Sequence, residues 1–302
     1  MKKTTLFRKY IGDPGALLIP GVADPLTAKI AERAGFQAVF LSGYAASAVR
    51  LGAPDVGLLT LTEMVDCAAR IADAVDIPVF ADGDNGHGNA TNVIRCMQQF
   101  EKAGVAAIFF EDQVTPKRCG HMSGKQVIPR EEMTAKIRAA VDSRVDQDLV
   151  IMARTDALSV NGIDDAIDRM HAYLQAGADM SFVESPRSIE EMTRITSSIP
   201  APNMANMVEG GKSPILPLAK LTEIGFKVVA YPTLALYAMA KSARLVLESL
   251  HATGTSAGLE TSLLDFAEFN ALTGLDEVRA KESRLYDGGQ TPASAPGPPA
   301  RQ

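Results

Sequence analysis

Four stretches share one layout: 32–42 (ERAGFQAVFLS), 101–112 (EKAGVAAIFFED), 174–185 (LQAGADMSFVES) and 222–232 (TEIGFKVVAYP). In each, a helical stretch runs into a glycine and a short β-prone run follows. Gly35, Gly104, Gly177 and Gly225 fall where the residue after a helix takes left-handed backbone, which glycine adopts without a Cβ clash. The four are repeats of one helix-to-strand unit.

Further buried-strand candidates lie between them, at 16–21 (ALLIPG), 77–84 (IPVFADGD), 148–156 (DLVIMARTD) and 202–210 (PNMANMVEG). Continuous apolar runs of this length, each followed by an amphipathic stretch, predict a parallel sheet covered on its outside by helices. Eight strand-helix units over about 250 residues fit an α/β fold of the closed (β/α)8 TIM-barrel type. An open doubly wound sheet would leave two or three units unplaced. The barrel is expected over 1–252, with a C-terminal helical extension at 253–286 and a flexible tail at 287–302 that is rich in Pro, Gly and Ala. Helical stretches near 260–272 and 275–286 are surplus to the barrel. Their apolar residues Leu263, Leu264, Phe266, Phe269 and Leu272 must bury somewhere, and a neighbouring subunit is as good a partner as the barrel's own side.

Composition narrows the function. The 302 residues are 46% hydrophobic and 22% charged, ordinary for a globular chain, and the formal net charge of -6 leaves no basic stripe for a phosphate backbone. Nucleic acid is excluded as a partner. The start (MKKTTLFRKYIGDPG) lacks the apolar core of a signal peptide, and no apolar run nears the roughly 20 residues of a membrane span. Cys67, Cys96 and Cys119 show no C-x-x-C spacing, so neither disulfides nor a structural zinc site is indicated and a cytoplasmic location is expected.

Polar residues gather at the C-terminal ends of the strand candidates: Ser42, Asp82 and Asp84, Glu111 and Asp112, Arg154 and Asp156, Glu184, Asn206 and Glu209. Active sites of such barrels lie at that face. The spacing assigns Asp82 and Asp84 to the end of the fourth strand, Cys119 to the loop after the fifth and Arg154 to the end of the sixth. Asp82 and Asp84 flank one glycine, so both can face one side, and with Glu111 they offer the hard oxygen ligands that suit Mg²⁺. The plainer alternative is that strand-end acids cap turns and helices. Cys119 sits in Lys117-Arg118-Cys119-Gly120-His121, where neighbouring positive charge is expected to lower the thiol's pKa and glycine lets the loop bend onto a ligand. An incidental cysteine on a basic surface loop is the alternative. Arg154 suits a substrate carboxylate or a forming oxyanion, or else a salt bridge to Asp156 or Glu184. His87 reads as a hydrogen-bonded loop residue more than as a contact to a metal's water shell.

The strings ADGDNGHGN (81–89), FFEDQVTPKRCGH (109–121), IMARTDA (151–157) and ANMVEGGKSP (205–214) resemble, in this order and spacing, the isocitrate lyase and phosphoenolpyruvate mutase superfamily over residues 5–286. The resemblance implies a (β/α)8 barrel, a Mg²⁺ site with Mn²⁺ as a substitute ion, 2-hydroxy or 2-oxo acid substrates, and homotetramers built from helix-swapped dimers. By position, Asp82 and Asp84 resemble the metal carboxylates, and Glu111 the residue that holds a metal-bound water. Ser42 and Gly43, with Asp55, resemble the substrate-carboxylate loop and its support. Arg154 resembles the residue facing the reactive oxygens. Lys117, Gly120, His121, Glu184, Asn206, Glu209 and Pro232 match positions lining the site.

The K-R-C-G-H loop resembles the lyase branches, although carboxyphosphonoenolpyruvate mutase shares it. Tyr237 stands where 2-methylisocitrate lyases have an arginine for an additional carboxylate, and Pro232 where oxaloacetate hydrolases tend to have serine. CGHMSGK and DFAEFNAL resemble the 2,3-dimethylmalate lyase, petal-death-protein and oxaloacetate-hydrolase branch. The chain departs from the family's D-T-G-Y or D-T-G-F with Asp84-Asn85-Gly86-His87. The expected reaction is cleavage of a 2-alkylmalate such as 2,3-dimethylmalate, with 2-methylisocitrate as a related substrate, to pyruvate and a carboxylate. Cys119 is the expected proton donor, and Tyr44 or a metal-bound hydroxide the base. Carboxyphosphonoenolpyruvate mutation and oxaloacetate hydrolysis are the alternatives.

Overall fold

The computed structural model describes residues 1–286, so the expected tail at 287–302 lies outside the described residues. The chain divides into two compact units, Met1–Lys241 and a second that begins at Ser242. After α1 (Lys3–Gly12) and β1 (Leu17–Val22) come α2 (Pro25–Arg33), β2 (Val39–Leu41), α3 (Gly43–Leu51), α4 (Leu61–Ala74), β3 (Val79–Asp82), α5 (Ala90–Lys102) and β4 (Ala107–Glu111). They are followed by α6 (Arg130–Ser143), β5 (Val150–Thr155), α7 (Ile163–Gln175), β6 (Met180–Val183), α8 (Ile189–Ser198), β7 (Asn203–Asn206), α9 (Leu218–Ile224), β8 (Phe226–Tyr231) and α10 (Leu234–Thr253). Each strand pairs in parallel with the next, and β1 pairs with β8 through Leu17 opposite Val228, so the eight strands close into a barrel. The expected α/β barrel is what forms.

The strand numbering needs correction. Asp82 ends β3, Cys119 follows β4 and Arg154 lies on β5, each one strand earlier than the spacing suggested. Between β2 and β3 the chain makes two helices, α3 and α4, and no additional strand. The repeat glycines are placed as expected, at φ +91° (Gly35), +83° (Gly104), +106° (Gly177) and +111° (Gly225).

Helix starts explain where the strands stop. Asp24 accepts from the Thr27 backbone N–H with Pro25 opening α2, Thr60 and Glu63 form a capping box on α4, and Asn89 and Asn92 form another on α5. Alternation along the strands then sorts the side chains between two cores. Val39, Leu41, Val79, Ala81, Ile108 and Ile151 face the helices. Phe40, Phe80, Phe109, Met152, Met180, Phe182, Met204 and Val228 fill the barrel's interior, and Phe7 and Ile11 of α1 join them. The rings of Phe7, Phe80, Phe40, Phe109 and Phe182 follow one another with centroids 5.3 to 6.0 Å apart. One further step of two residues places Ser42, Asp82, Glu111, Arg154, Glu184 and Asn206 inward at the C-terminal mouth.

From Ser242 onward the second unit contains α11 (Phe266–Thr273), opened by an Asp265–Glu268 capping box, and α12 (Leu275–Leu285). Of the apolar residues expected to need a partner here, Leu272 is buried, whereas Leu263, Leu264, Phe266 and Phe269 are exposed. Helix α10 has no buried residue.

Candidate active site

A cavity of about 210 Å³ opens at the C-terminal mouth of the barrel. Ser42, Tyr44, Asp55, Asp82, Glu111, Lys117, Cys119, Gly120, His121, Arg154, Glu184, Asn206, Glu209 and Pro232 all line it, so the strand-end residues singled out in the sequence meet at one place. Gly43 and Asp84 stand just behind this lining. Gly43 opens α3 and donates its N–H to Asp82 Oδ2 at 3.1 Å, and Ser42 caps the same helix by accepting from Ala45 N. A Cβ at residue 43 would lie 2.7 Å from Asp82 Oδ2, so glycine lets this carboxylate approach the helix start, whereas Asp84 Oδ1 at 3.6 Å would be in ordinary contact.

The acids and cations interlock. Asp82 Oδ1 accepts from Asp84 N at 2.9 Å. Lys117 turns inward, its Nζ 2.6 Å from both Asp55 Oδ1 and Asp84 Oδ1. Burial works against that ammonium, but Asp84, Asp82 and Asp55 outweigh it and hold it protonated well above the ordinary lysine range. Burial, with Asp84 adding repulsion, pushes the Asp82 carboxyl up to about 7. Glu111 is likewise raised, by burial first, with Arg154 opposing.

Arg154 is gripped on several sides: Nε lies 3.3 Å from Glu111 Oε2 and donates to Asp156 Oδ2 at 3.0 Å, and Nη2 lies 3.2 Å from Glu184 Oε2. Its guanidinium also lies over the Phe109 and Phe182 rings, 5.5 and 5.1 Å from their centroids. Both salt bridges that the sequence offered as alternatives therefore form, and Arg154 still faces the cavity. Burial would raise the Glu184 carboxyl; Arg154 above all, with His121, overrides this and holds it well below the ordinary range. Asn206 Nδ2 donates to Glu184 Oε2 at 3.2 Å, and Thr233 donates to Glu209 Oε2 at 2.6 Å.

Cys119 corrects one expectation. Burial pushes its thiol up to about 11, although a backbone hydrogen bond at His121 pulls the other way. The flanking cations do not activate it, because Lys117 is engaged by Asp55 and Asp84 and Arg118 turns out to donate to the Ser123 carbonyl at 3.1 Å. A thiol of this kind is neutral at neutral pH, the state that suits a proton donor rather than a nucleophile.

The loop carrying Cys119 lies closely over the mouth. A Cβ on Gly120 would come within 2.4 Å of Arg154 Nη2 and 2.5 Å of Glu184 Cγ. His121 Nδ1 accepts from Lys212 N at 2.9 Å, and its Nε2 lies 3.2 Å from Glu184 Oε1. Tyr237 OH donates to Tyr44 OH at 3.3 Å, their rings edge to face. His87 sits beside Asp84 with Nε2 3.8 Å from Oδ2, and burial lowers its pKa. Sequence reasoning missed Gln113 and Lys125, which are buried behind the loop. Gln113 follows Glu111 by two residues, and Lys125 ends the CGHMSGK string, so both stood within motifs already noted.

A divalent cation fits the acidic corner. Among the described residues no group of three or more His, Cys, Asp or Glu side chains converges to enclose an ion. Mg²⁺ does not need one, since it keeps several waters and takes one or two carboxylates. Glu111 Oε1 is buried without a hydrogen-bond partner, and Asp84 Oδ1 meets Lys117 only as an ion pair outside hydrogen-bond geometry. With the raised Asp82 carboxyl, this is an oxygen-rich corner whose acids Asp55, Asp82, Asp84 and Glu111 outnumber the one ammonium, Lys117, that reaches it.

The phosphoenolpyruvate phosphomutase family model matches residues 7–251. A 2,3-dimethylmalate lyase of Eubacterium barkeri is 47% identical over 95% of this chain and 100% of its own length. A chloroplastic carboxyvinyl-carboxyphosphonate phosphorylmutase of Arabidopsis thaliana is 43% identical over 93% of this chain and 85% of its own. The crystal structure of a 2,3-dimethylmalate lyase superposes with a TM-score of 0.91 at 32% identity, covering 98% of this chain and 99% of that one.

Proposed function

The chain belongs to the phosphoenolpyruvate phosphomutase family, within the isocitrate lyase and phosphoenolpyruvate mutase superfamily, and from that premise we propose that it is a Mg²⁺-dependent carbon–carbon lyase. Its substrate is a 2-alkylmalate such as 2,3-dimethylmalate, and its products are pyruvate and a carboxylate. The observation that carries this reading is the placement of Cys119, a thiol that burial keeps protonated, in one cavity with Arg154 and the acidic corner.

In this reading the N-terminal end of α3, capped by Ser42, receives the substrate carboxylate at the positive pole of the helix. Asp82, Asp84 and Glu111 would hold Mg²⁺, which would supply Lewis-acid stabilisation of the oxygen at C2. Removal of the hydroxyl proton, for which Tyr44 is the candidate base, forms the C2 carbonyl and breaks the C2–C3 bond. The electron pair passes to the departing fragment as a carboxylic-acid enolate. Arg154, seated over Phe109 and Phe182, stabilises that charge, and Cys119 delivers its proton to C3. Tyr237 and Pro232 form an uncharged wall of the cavity, which suits an alkyl substituent better than a further carboxylate.

The exposed apolar residues Leu245, Leu247 and Leu250 of α10 support a homotetramer in which this helix packs on a neighbouring subunit. Three unpaired cysteines accord with a cytoplasmic location, and no helix among the described residues is long and apolar enough to cross a membrane.

A coupled assay with and without Mg²⁺ tests the reading, following pyruvate from 2,3-dimethylmalate, 2-methylisocitrate and citramalate, glyoxylate from isocitrate and oxalate from oxaloacetate. Pyruvate from a 2-alkylmalate only in the presence of Mg²⁺ is expected, and absence of pyruvate from all three methyl-bearing acids overturns it. The 43% identity to a phosphorylmutase favours a second reading, rearrangement of a carbon–phosphorus bond. Phosphorus NMR on carboxyphosphonoenolpyruvate separates the two, since a lyase leaves that spectrum unchanged.

A further inference from the structure

Asp156, just beyond β5, is completely buried. Its Oδ2 accepts from Arg154 Nε at 3.0 Å and from Gln113 Nε2 at 3.1 Å. Its Oδ1 accepts from Lys125 Nζ at 2.5 Å and from Arg154 Nη2 at 3.3 Å. The two residues that share Asp156 with Arg154 also hold the Cys119 loop. Lys125 Nζ donates to the carbonyl of Gly120, and Gln113 takes both sides of Arg118, accepting from its N–H at 3.0 Å and donating to its carbonyl at 2.8 Å. The backbone on either side of Cys119 is thus tied to the carboxylate that orients Arg154.

A buried ion pair is poor evidence of stabilisation, because desolvating both ions consumes most of their attraction. What such a pair does supply is a fixed geometry, and here the geometry links two groups that must act on one substrate. We propose that Lys125, seconded by Gln113, is a positioning residue that registers the Cys119 loop against Arg154 through Asp156, so that proton donor and cation reach the substrate as one assembly. The link to turnover rests on the lyase reading above; the joint itself does not depend on which acid is cleaved.

The test compares Lys125→Met, Lys125→Arg and Gln113→Leu with the wild-type protein, reading pyruvate release alongside iodoacetamide labelling of each cysteine by peptide mass spectrometry. Cys67 and Cys96 are buried in the outer core and report general loosening. In Lys125→Met, kcat should fall by about 10² while Cys119 labelling rises about tenfold and Cys67 and Cys96 stay protected, since a misplacement near 1 Å costs on that scale. Lys125→Arg should recover part of both effects, and Gln113→Leu should reproduce them more weakly. Labelling of all three cysteines together would reduce Lys125 to a structural role and overturn the proposal. So would unchanged Cys119 labelling, or raised Cys119 labelling with unchanged kcat. If the wild-type protein releases pyruvate from no acid, the lyase reading fails, and the labelling pattern alone still decides whether the joint exists.

Discussion

Two residues along a strand separate two kinds of protein interior. Below, Phe80, Phe109, Met152 and Phe182 pack with Phe7 into a floor made of ring contacts. Above, at the next inward positions, Asp82, Glu111, Arg154 and Glu184 stand together in a buried set of charges. The floor satisfies every packing rule, and the mouth breaks several. Among the described residues, the non-glycine residues with left-handed backbone are Asp84 (φ 49°), His87 (φ 54°) and Ser185 (φ 60°), all in loops at the mouth. Most buried side-chain atoms without hydrogen-bond partners, such as Glu111 Oε1 and Asn206 Oδ1, also lie there, Arg144 Nε at the opposite end being the exception among the described residues. Strain and unmet polarity concentrated at one face mark it as the part shaped by chemistry rather than by folding.

The sharpest way to break this contrast is to exchange the two ends' arginines for alanine. Arg154→Ala removes the proposed oxyanion partner and leaves Glu111, Asp156 and Glu184 facing one another, so pyruvate release should fall by at least about 10³ and thermal stability should drop as well. Arg144, at the opposite end, bonds Asp179 Oδ2 at 2.6 Å and the Leu149 carbonyl at 2.8 Å. Arg144→Ala should lower the melting temperature and leave kcat unchanged. A fall in kcat for both variants would erase the distinction.

A smaller effect, confined to stability, is expected from Phe7→Ala. Removing this fully buried ring should cost about 3–5 kcal/mol in denaturant unfolding, with turnover per folded molecule preserved. Loss of turnover at full folding would show that floor and mouth are not separable.

The smallest change is in the titration of one thiol. Because burial raises Cys119 to about 11, its labelling by iodoacetamide should be slow at pH 7 and climb through pH 11. The raised value also means that protonation of this thiol favours the folded state: its contribution is complete below the unfolded-state value of 9.0 and is lost as pH rises to about 11. A labelling midpoint below pH 8 would restore the activated thiolate that the flanking lysine and arginine suggested.

What could be read from the sequence divides along the same line. The helix-to-strand repeats and their glycines were legible because left-handed backbone after a helix leaves a local signature. The strand-end polar residues were legible because a period of two carries the inward face of each strand from core to mouth. The count of eight held, but the strand numbering slipped where α3 and α4 follow one another, since two successive helices occupy the length of a full unit. Side-chain direction was not legible at all. Lys117 and Arg118 are neighbours of equal charge, yet one points into the acids and the other to a surface carbonyl, and with both engaged elsewhere burial sets the state of Cys119. Gln113 and Lys125 lie in the one loop between β4 and α6 while Asp156 follows β5, and the pairing of β4 with β5 brings them together.

The central claim is that a neutral thiol at this mouth protonates the enolate, and Cys119→Ser tests it most directly. With Mg²⁺ binding and melting temperature measured alongside, the variant should retain both and release pyruvate from a 2-alkylmalate about 10²-fold or more slowly than the wild-type protein. Cleavage at close to the wild-type rate, in a folded variant that binds Mg²⁺, would contradict the account and remove Cys119 from the mechanism.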